Sequence, residues 1–188
     1  MAPQFVIVAG PNGCGKSSTG SARVKQQLDI TAIDPDAIVR DYRTHYPDWP
    51  DDALNLAAVL EAERRVWKAI SRGESVGVET VLSSVKYLDA VNAAKARGFE
   101  TVLYFVTVAT ADLAVERVRE RVRQKGRDVP EQKIRARWPR THQNAANLFA
   151  RVDSAFAYDF GLWRARVRVQ RRMGRPKARR PDATAAAS

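Results

Sequence analysis

Gln4-Phe5-Val6-Ile7-Val8-Ala9-Gly10-Pro11-Asn12-Gly13-Cys14-Gly15-Lys16-Ser17 decides the fold of this chain of 188 residues. Its second half, from Gly10, fits G-x-x-x-x-G-K-[ST], the Walker A phosphate-binding loop. Glycines at those positions let backbone N–H groups turn inward and approach phosphate oxygens. Lys16 is placed to reach the β- and γ-phosphates, and the Ser17 hydroxyl to ligate Mg²⁺. The whole run Gly10, Pro11, Asn12, Gly13, Cys14, Gly15, Lys16, Ser17 and Ser18 is therefore a candidate ATP-binding segment. Before it lies an apolar stretch of strand length, and after it, to about Leu28, a predicted helix whose N-terminus faces the anion. Strand, loop, helix is the context that gives the motif its meaning.

Outward from that stretch, strands and helices alternate. Strands are expected at 4–9, 30–33, 75–79, 101–108, 155–159 and 164–169, and helices at 16–28, 36–43, 52–72, 84–97, 111–124 and 130–148. The pattern predicts an α/β fold of the P-loop NTPase kind, with a mostly parallel sheet flanked by helices on both faces. Thr101 to Val108 is nearly all apolar and β-branched, as a strand buried on both faces should be. The segment 164–169 alternates Arg with Ala and Val, which suits an edge strand. Between two basic helices, Gln124 to Pro130 is charged and carries Gly126, the composition of a kinase lid.

Composition bounds the function. An apolar share of 45% and a charged share of 28% are those of an ordinary folded domain. No apolar run approaches the ~20 residues of a membrane span, and Met1-Ala2-Pro3-Gln4 does not read as a signal peptide. One cysteine closes no internal disulfide. These features predict a cytoplasmic protein with no membrane contact. The net charge of +11 belongs mainly to one end. From Arg164 to Ser188 there are nine Lys/Arg and one acid, Asp182, whereas residues 1–163 hold 23 basic and 20 acidic side chains. We therefore expect a kinase domain over 1–170 and a disordered basic tail over 171–188. Contact of that tail with nucleic acid is the less favoured alternative to simple solvation.

The phosphate loop supplies only the donor half of a site; the acceptor half is read at the other strand tips. Asp34 and Asp36 follow the second strand, and a carboxylate there can orient an acceptor hydroxyl and take its proton. An Asp before a helix also caps it, and Asp34 with Pro35 behind it fits that role. Asp36 would then face the phosphate edge. Glu79 ends a strand of small and apolar residues, where a carboxylate is costly unless it binds something, either the acceptor or a Mg²⁺-bound water. The alternative is a solvated strand end. Thr80 and Ser83 add hydroxyls. Arg117 and Arg121 share a helix face by their i,i+4 spacing, and Arg127 falls in the lid; these are the arginines chosen to close over a moving phosphoryl group. Cys14, at a helix N-terminus where thiol pKa values tend to fall, is read mainly as a small residue that fits the turn. Trp67 and Trp138 are read as packing residues. No second Asp ends an apolar strand as in motor ATPases, which favours a small kinase.

Four stretches together, AGPNGCGKSS (9–18), AIDPDAI (32–38), GESVGVETVLSS (73–84) and ERVRERVRQKGRDVP (116–130), resemble the zeta toxin family of P-loop kinases. The resemblance implies ATP with Mg²⁺ and transfer of the γ-phosphoryl group to a hydroxyl. The family's best-studied members phosphorylate a UDP-linked amino sugar, UDP-N-acetylglucosamine, and are restrained by an antitoxin protein, so the resemblance implies an acceptor and a partner of these kinds. By position, Lys16 matches the family's phosphate lysine, Asp36 its catalytic aspartate, and Glu79 and Thr80 its strand-end pair near the acceptor. Arg117 or Arg121, and Arg127, occupy the region of its phosphate-binding arginines. The chain is shorter than the classical toxins and most resembles the compact zeta-toxin-like ATPases. Two further readings are a polynucleotide 5′-kinase guided by the tail, and a non-catalytic module that binds ATP and a partner.

Overall fold

Both faces of the strand Gln4–Ala9 (β1) are buried: Phe5 and Ile7 on one side and Val6 and Val8 on the other are fully shielded from water. Two-sided burial is why this strand reads as an unbroken apolar run, and it belongs to the centre of a parallel sheet. The computed structural model, which describes residues 2–16 and 32–159, has it there. The other strands are Ala32–Ile33 (β2), Val76–Thr80 (β3), Glu100–Thr107 (β4) and Ser154–Asp159 (β5). Their order is β2-β3-β1-β4-β5, and each neighbouring pair is parallel. In this register Ala9 lies beside Thr80 on one flank and Phe105 on the other.

Helices Pro35–His45 (α1), Asp51–Arg72 (α2), Lys86–Ala96 (α3), Ala111–Arg123 (α4) and Glu131–Phe149 (α5) complete the described fold. The main core joins Phe5 and Ile7 of β1 to Val66 and Ile70 of α2, Val91 of α3 and Leu148 of α5. Each such side chain contributes roughly 1.5–3 kcal/mol by leaving water. A second cluster, at the carboxyl ends of the strands, packs Cys14 and Val106 against Ala114, Val115 and Val118 of α4 and Ile134 of α5. That cluster fixes the phosphate loop to the two basic helices.

The chain re-enters the sheet at β2 and β3 on one side of β1 and at β4 on the other. The crevice beyond the carboxyl end of β1 is thus the topological switch point, where open α/β sheets bind ligands. Expected and observed elements agree to within two residues at most boundaries. One helix is less obvious than it looks: α5 continues through Pro139. The proline removes one N–H from the helix and lies on its exposed side. The expected helix beyond Lys16, residues 30–31, the strand at 164–169 and the tail at 171–188 lie outside the described residues.

Candidate phosphoryl-transfer cleft

The phosphate loop is pinned by close backbone contacts. Gly10 donates its N–H to Thr80 O at 3.2 Å, tying the loop to the tip of β3. A Cβ on Gly10 would lie 1.9 Å from Val106 O, and one on Gly13, whose φ is +79°, would lie 2.3 Å from Ala114 O. Only glycine fits either place. Lys16 folds across the loop, its Nζ donating to Gly10 O at 2.7 Å and Pro11 O at 2.9 Å. Asn12 Oδ1 is buried in the loop with no hydrogen-bond partner among the described residues. A cradle closed to any Cβ, with a lysine above it, fits a polyphosphate. Ser17, the expected Mg²⁺ ligand, and Ser18 lie outside the described residues. Among the described residues no group of three or more His, Cys, Asp or Glu side chains forms a metal cage.

Cys14 takes the place read for it, a small residue that fits the turn. It is fully buried, and burial pushes its thiol up, outweighing the opposing pull of Lys16. It is a packing residue under the loop rather than an activated sulfur. Trp138 packs against the same cluster, whereas Trp67 leaves a third of its surface in water.

Across the crevice, Asp34 is the N-cap of α1: its side chain accepts from Asp36 N at 2.9 Å, with Pro35 at the first helical position. This leaves Asp36 in the first turn with its carboxylate free of capping duty. Glu79, only 9% exposed, ends β3 beside the phosphate loop. Thr80 Oγ1 accepts from Leu82 N at 3.0 Å, which leaves the hydroxyl proton available to a further acceptor. Ser83 follows on the same wall.

The arginines separate by helix face. Arg117 and Arg121 of α4 line the crevice, while Arg119 and Arg123 turn outward to Glu131 and Glu120. Arg121 Nε is buried without a partner among the described residues. Arg127, in the loop between α4 and α5, crosses to the opposite wall and pairs with Asp36 Oδ1 and Asn55 Oδ1. The loop expected to be a lid thus bridges the crevice. Arg135 points away to Asp112 and Glu131. Arg137 points in; burial, then the charges of Arg140 and Arg127, hold its guanidinium below the ordinary arginine range.

One cleft of about 720 Å³ contains all of these groups: Lys16, Asp36, Glu79, Thr80, Ser83, Arg117, Arg121 and Arg127 line it together. Its wall carries seven Lys or Arg and five Asp or Glu, an excess of positive charge that suits an anionic ligand. Val39, Leu56 and Val59 add apolar surface to the wall. The sequence reading did not select Arg137, Asn55 or this surface. A signal for Arg137 existed: Ile134, Arg137, Thr141, Asn144 and Leu148 recur at helical three- and four-residue spacing, so an arginine sits on the inward face of an otherwise buried stripe.

A Walker A loop on the central strand of a parallel sheet, facing strand-tip carboxylates and arginines across a cleft, defines the fold and site of a P-loop kinase. Residues 1–174 match the zeta toxin family model, and the chain belongs to that family. The toxin of the PezAT toxin–antitoxin system of Streptococcus pneumoniae is a structural neighbour with a TM-score of 0.65 and 16% identity, covering 85% of this chain and 69% of that one. AvrRxo1-ORF1, solved with AvrRxo1-ORF2 and ATP, gives a TM-score of 0.65 at 15% identity over 84% of this chain and 54% of its own. Shikimate kinase of Actinobacillus pleuropneumoniae is 30% identical over 112 residues, 60% of this chain, and the match spans only 62% of that enzyme. No helix among the described residues is long and apolar enough to cross a membrane.

Proposed function

We propose that the protein is an ATP-dependent kinase that transfers the γ-phosphoryl group to a hydroxyl of a small molecule. The observation that carries this reading is that the phosphate loop and the acceptor carboxylates line one cleft bridged by an arginine loop. The acceptor oxygen attacks the γ-phosphorus, the bond from that phosphorus to the bridging oxygen of ADP breaks, and ADP leaves. Asp36 orients the acceptor hydroxyl and takes its proton. Lys16 and the loop amides hold the phosphates, while Arg117, Arg121 and Arg127 stabilise the charge spread over the group in flight. Arg127, which rests on Asp36 and Asn55 here, exchanges the carboxylate for phosphate oxygens as donor and acceptor enter. Glu79, Thr80 and Ser83 bind the acceptor. Ser17 would hold Mg²⁺, whose positive charge would offset the negative charge of the phosphates.

Family membership supports a UDP-sugar as one acceptor class and an antitoxin as a partner; the shikimate kinase match supports a small hydroxylated acid as another. Incubating the protein with γ-labelled ATP, Mg²⁺ and a metabolite extract tests the core of the reading. Label is expected in a low-molecular-weight product with wild type and not with Lys16→Ala. Label released only as inorganic phosphate, whatever the extract, would contradict it.

A further inference from the structure

The stretch that follows β3 is held in a conformation its residues do not favour. Leu82 has a φ of +59°, in the left-handed region that a leucine rarely adopts. It is also buried, at 3% exposure, within the main core. Three hydrogen bonds fix this kink. Leu82 N donates to Thr80 Oγ1 at 3.0 Å. The two successive carbonyls, Val81 O and Leu82 O, each accept from a side chain of α5: Thr141 Oγ1 at 2.9 Å and Asn144 Nδ2 at 2.9 Å. Thr141 is completely buried and Asn144 nearly so.

A threonine inside a helix usually returns its hydroxyl to a carbonyl of the preceding turn. Thr141 instead reaches a loop 60 residues earlier in the chain. Buried polar side chains on a core-facing helix stripe are also costly unless fully paired, and here the pairing partners are the carbonyls of one strained turn. That turn lies between Thr80 and Ser83, both on the cleft wall, and Thr80 is itself joined to the phosphate loop through Gly10. One helical turn before Thr141, the same helix carries Arg137 into the cleft. Thr141 and Asn144 do not themselves line the cleft; they reach it through the loop they hold.

We propose that Thr141 and Asn144 are positioning residues, a two-point clamp that keeps residues 80–83 in the strained turn and so sets Glu79, Thr80 and Ser83 for the acceptor. The catalytic half of this statement rests on the kinase reading above; the clamp itself does not. Leu82→Gly supplies a separate handle, because glycine holds the left-handed turn without help.

The test combines amide hydrogen exchange on the full-length chain with kinetics, using ATP and, as acceptor probes, UDP-N-acetylglucosamine and shikimate. In Thr141→Val/Asn144→Ala, exchange at Leu82 and Ser83 is expected to quicken by at least about tenfold, the equivalent of one to two lost hydrogen bonds. Exchange in β1 and β4 should not change. The KM of whichever probe is phosphorylated is expected to rise about tenfold, with the KM for ATP within about twofold. Thr141→Ser should retain the wild-type values, and adding Leu82→Gly to the double variant should restore the acceptor KM even though it removes a buried side chain. Unchanged exchange at 82–83, or a uniform quickening across the sheet with both KM values rising in step, would overturn the clamp. Loosened exchange with an unaltered acceptor KM would overturn the positioning of Glu79, Thr80 and Ser83 for the acceptor. If wild type phosphorylates neither probe, the choice of acceptor fails; the clamp then stands or falls on loop exchange and its reversal by Leu82→Gly.

Discussion

At the amino ends of the strands, Asp153 accepts from Thr101 N at 2.9 Å, Thr101 Oγ1 at 2.7 Å and pairs with Lys95 Nζ at 3.1 Å, while Gln4 N donates to Ser75 Oγ at 2.9 Å. At the carboxyl ends the same kinds of group are left under tension. Asn12 Oδ1 and Arg121 Nε are buried without partners among the described residues. Arg137 is desolvated among other cations, and Leu82 is bent into a left-handed turn. Unmade hydrogen bonds and crowded charge lower stability, so one edge of the sheet serves the fold and the other is arranged for a ligand. The unpaired groups fall on the edge that the proposed function uses.

Substitutions at the two edges should therefore separate activity from stability. Lys16→Ala at the carboxyl edge is expected to lower transfer by about 100–1,000-fold, the range seen when one preorganised charge donor is removed. Thermal unfolding should change little, because the hydrogen bonds of Lys16 to Gly10 O and Pro11 O stay within its own loop. A large loss of melting temperature would break the comparison. Asp153→Ala at the amino edge should do the reverse, costing about 1–3 kcal/mol of unfolding free energy with kcat and KM unchanged.

The same aspartate gives a pH signature. Burial alone would raise its carboxyl; the bonds from Thr101 and Lys95 overcome this and hold it below the usual carboxylate range. A depressed folded pKa means that the contribution is fully present above the unfolded value near 3.8. It is lost as pH falls through the folded pKa. Denaturant unfolding from pH 6 downward should show that loss in wild type and not in Asp153→Asn.

The smallest effect is expected away from both edges. On α2, Glu61 is held at about 2 by Arg64 and then Arg65. Both arginines are largely exposed, so Glu61→Gln should cost only about 0.2–1 kcal/mol. The loss in wild type should develop between the unfolded value of 4.5 and about 2, and 1 M salt should shrink it.

Local signals made much of this legible in the sequence. The apolar run 4–9, the glycines of the loop and the periodic helices each carry their meaning within a dozen residues. So does the pairing of Asp34 with Pro35, which identifies the cap and leaves Asp36 for the cleft. What sequence reading missed depends on distant segments. Arg127 meets Asp36 across 91 residues and Thr141 meets Val81 across 60. Nothing near Leu82 signals a left-handed turn, because the force that holds it comes from another helix. Cys14 illustrates a competition: Lys16 favours the thiolate, and complete burial outweighs it.

The central claim is that Asp36 completes a phosphoryl-transfer site whose donor half is the phosphate loop. Turnover and ATP affinity of Asp36→Asn, measured against wild type on the acceptor found in the extract assay, test it most directly. The account predicts a fall in kcat of about 100-fold or more, with ATP affinity within about threefold. Near-wild-type turnover in that variant would contradict it.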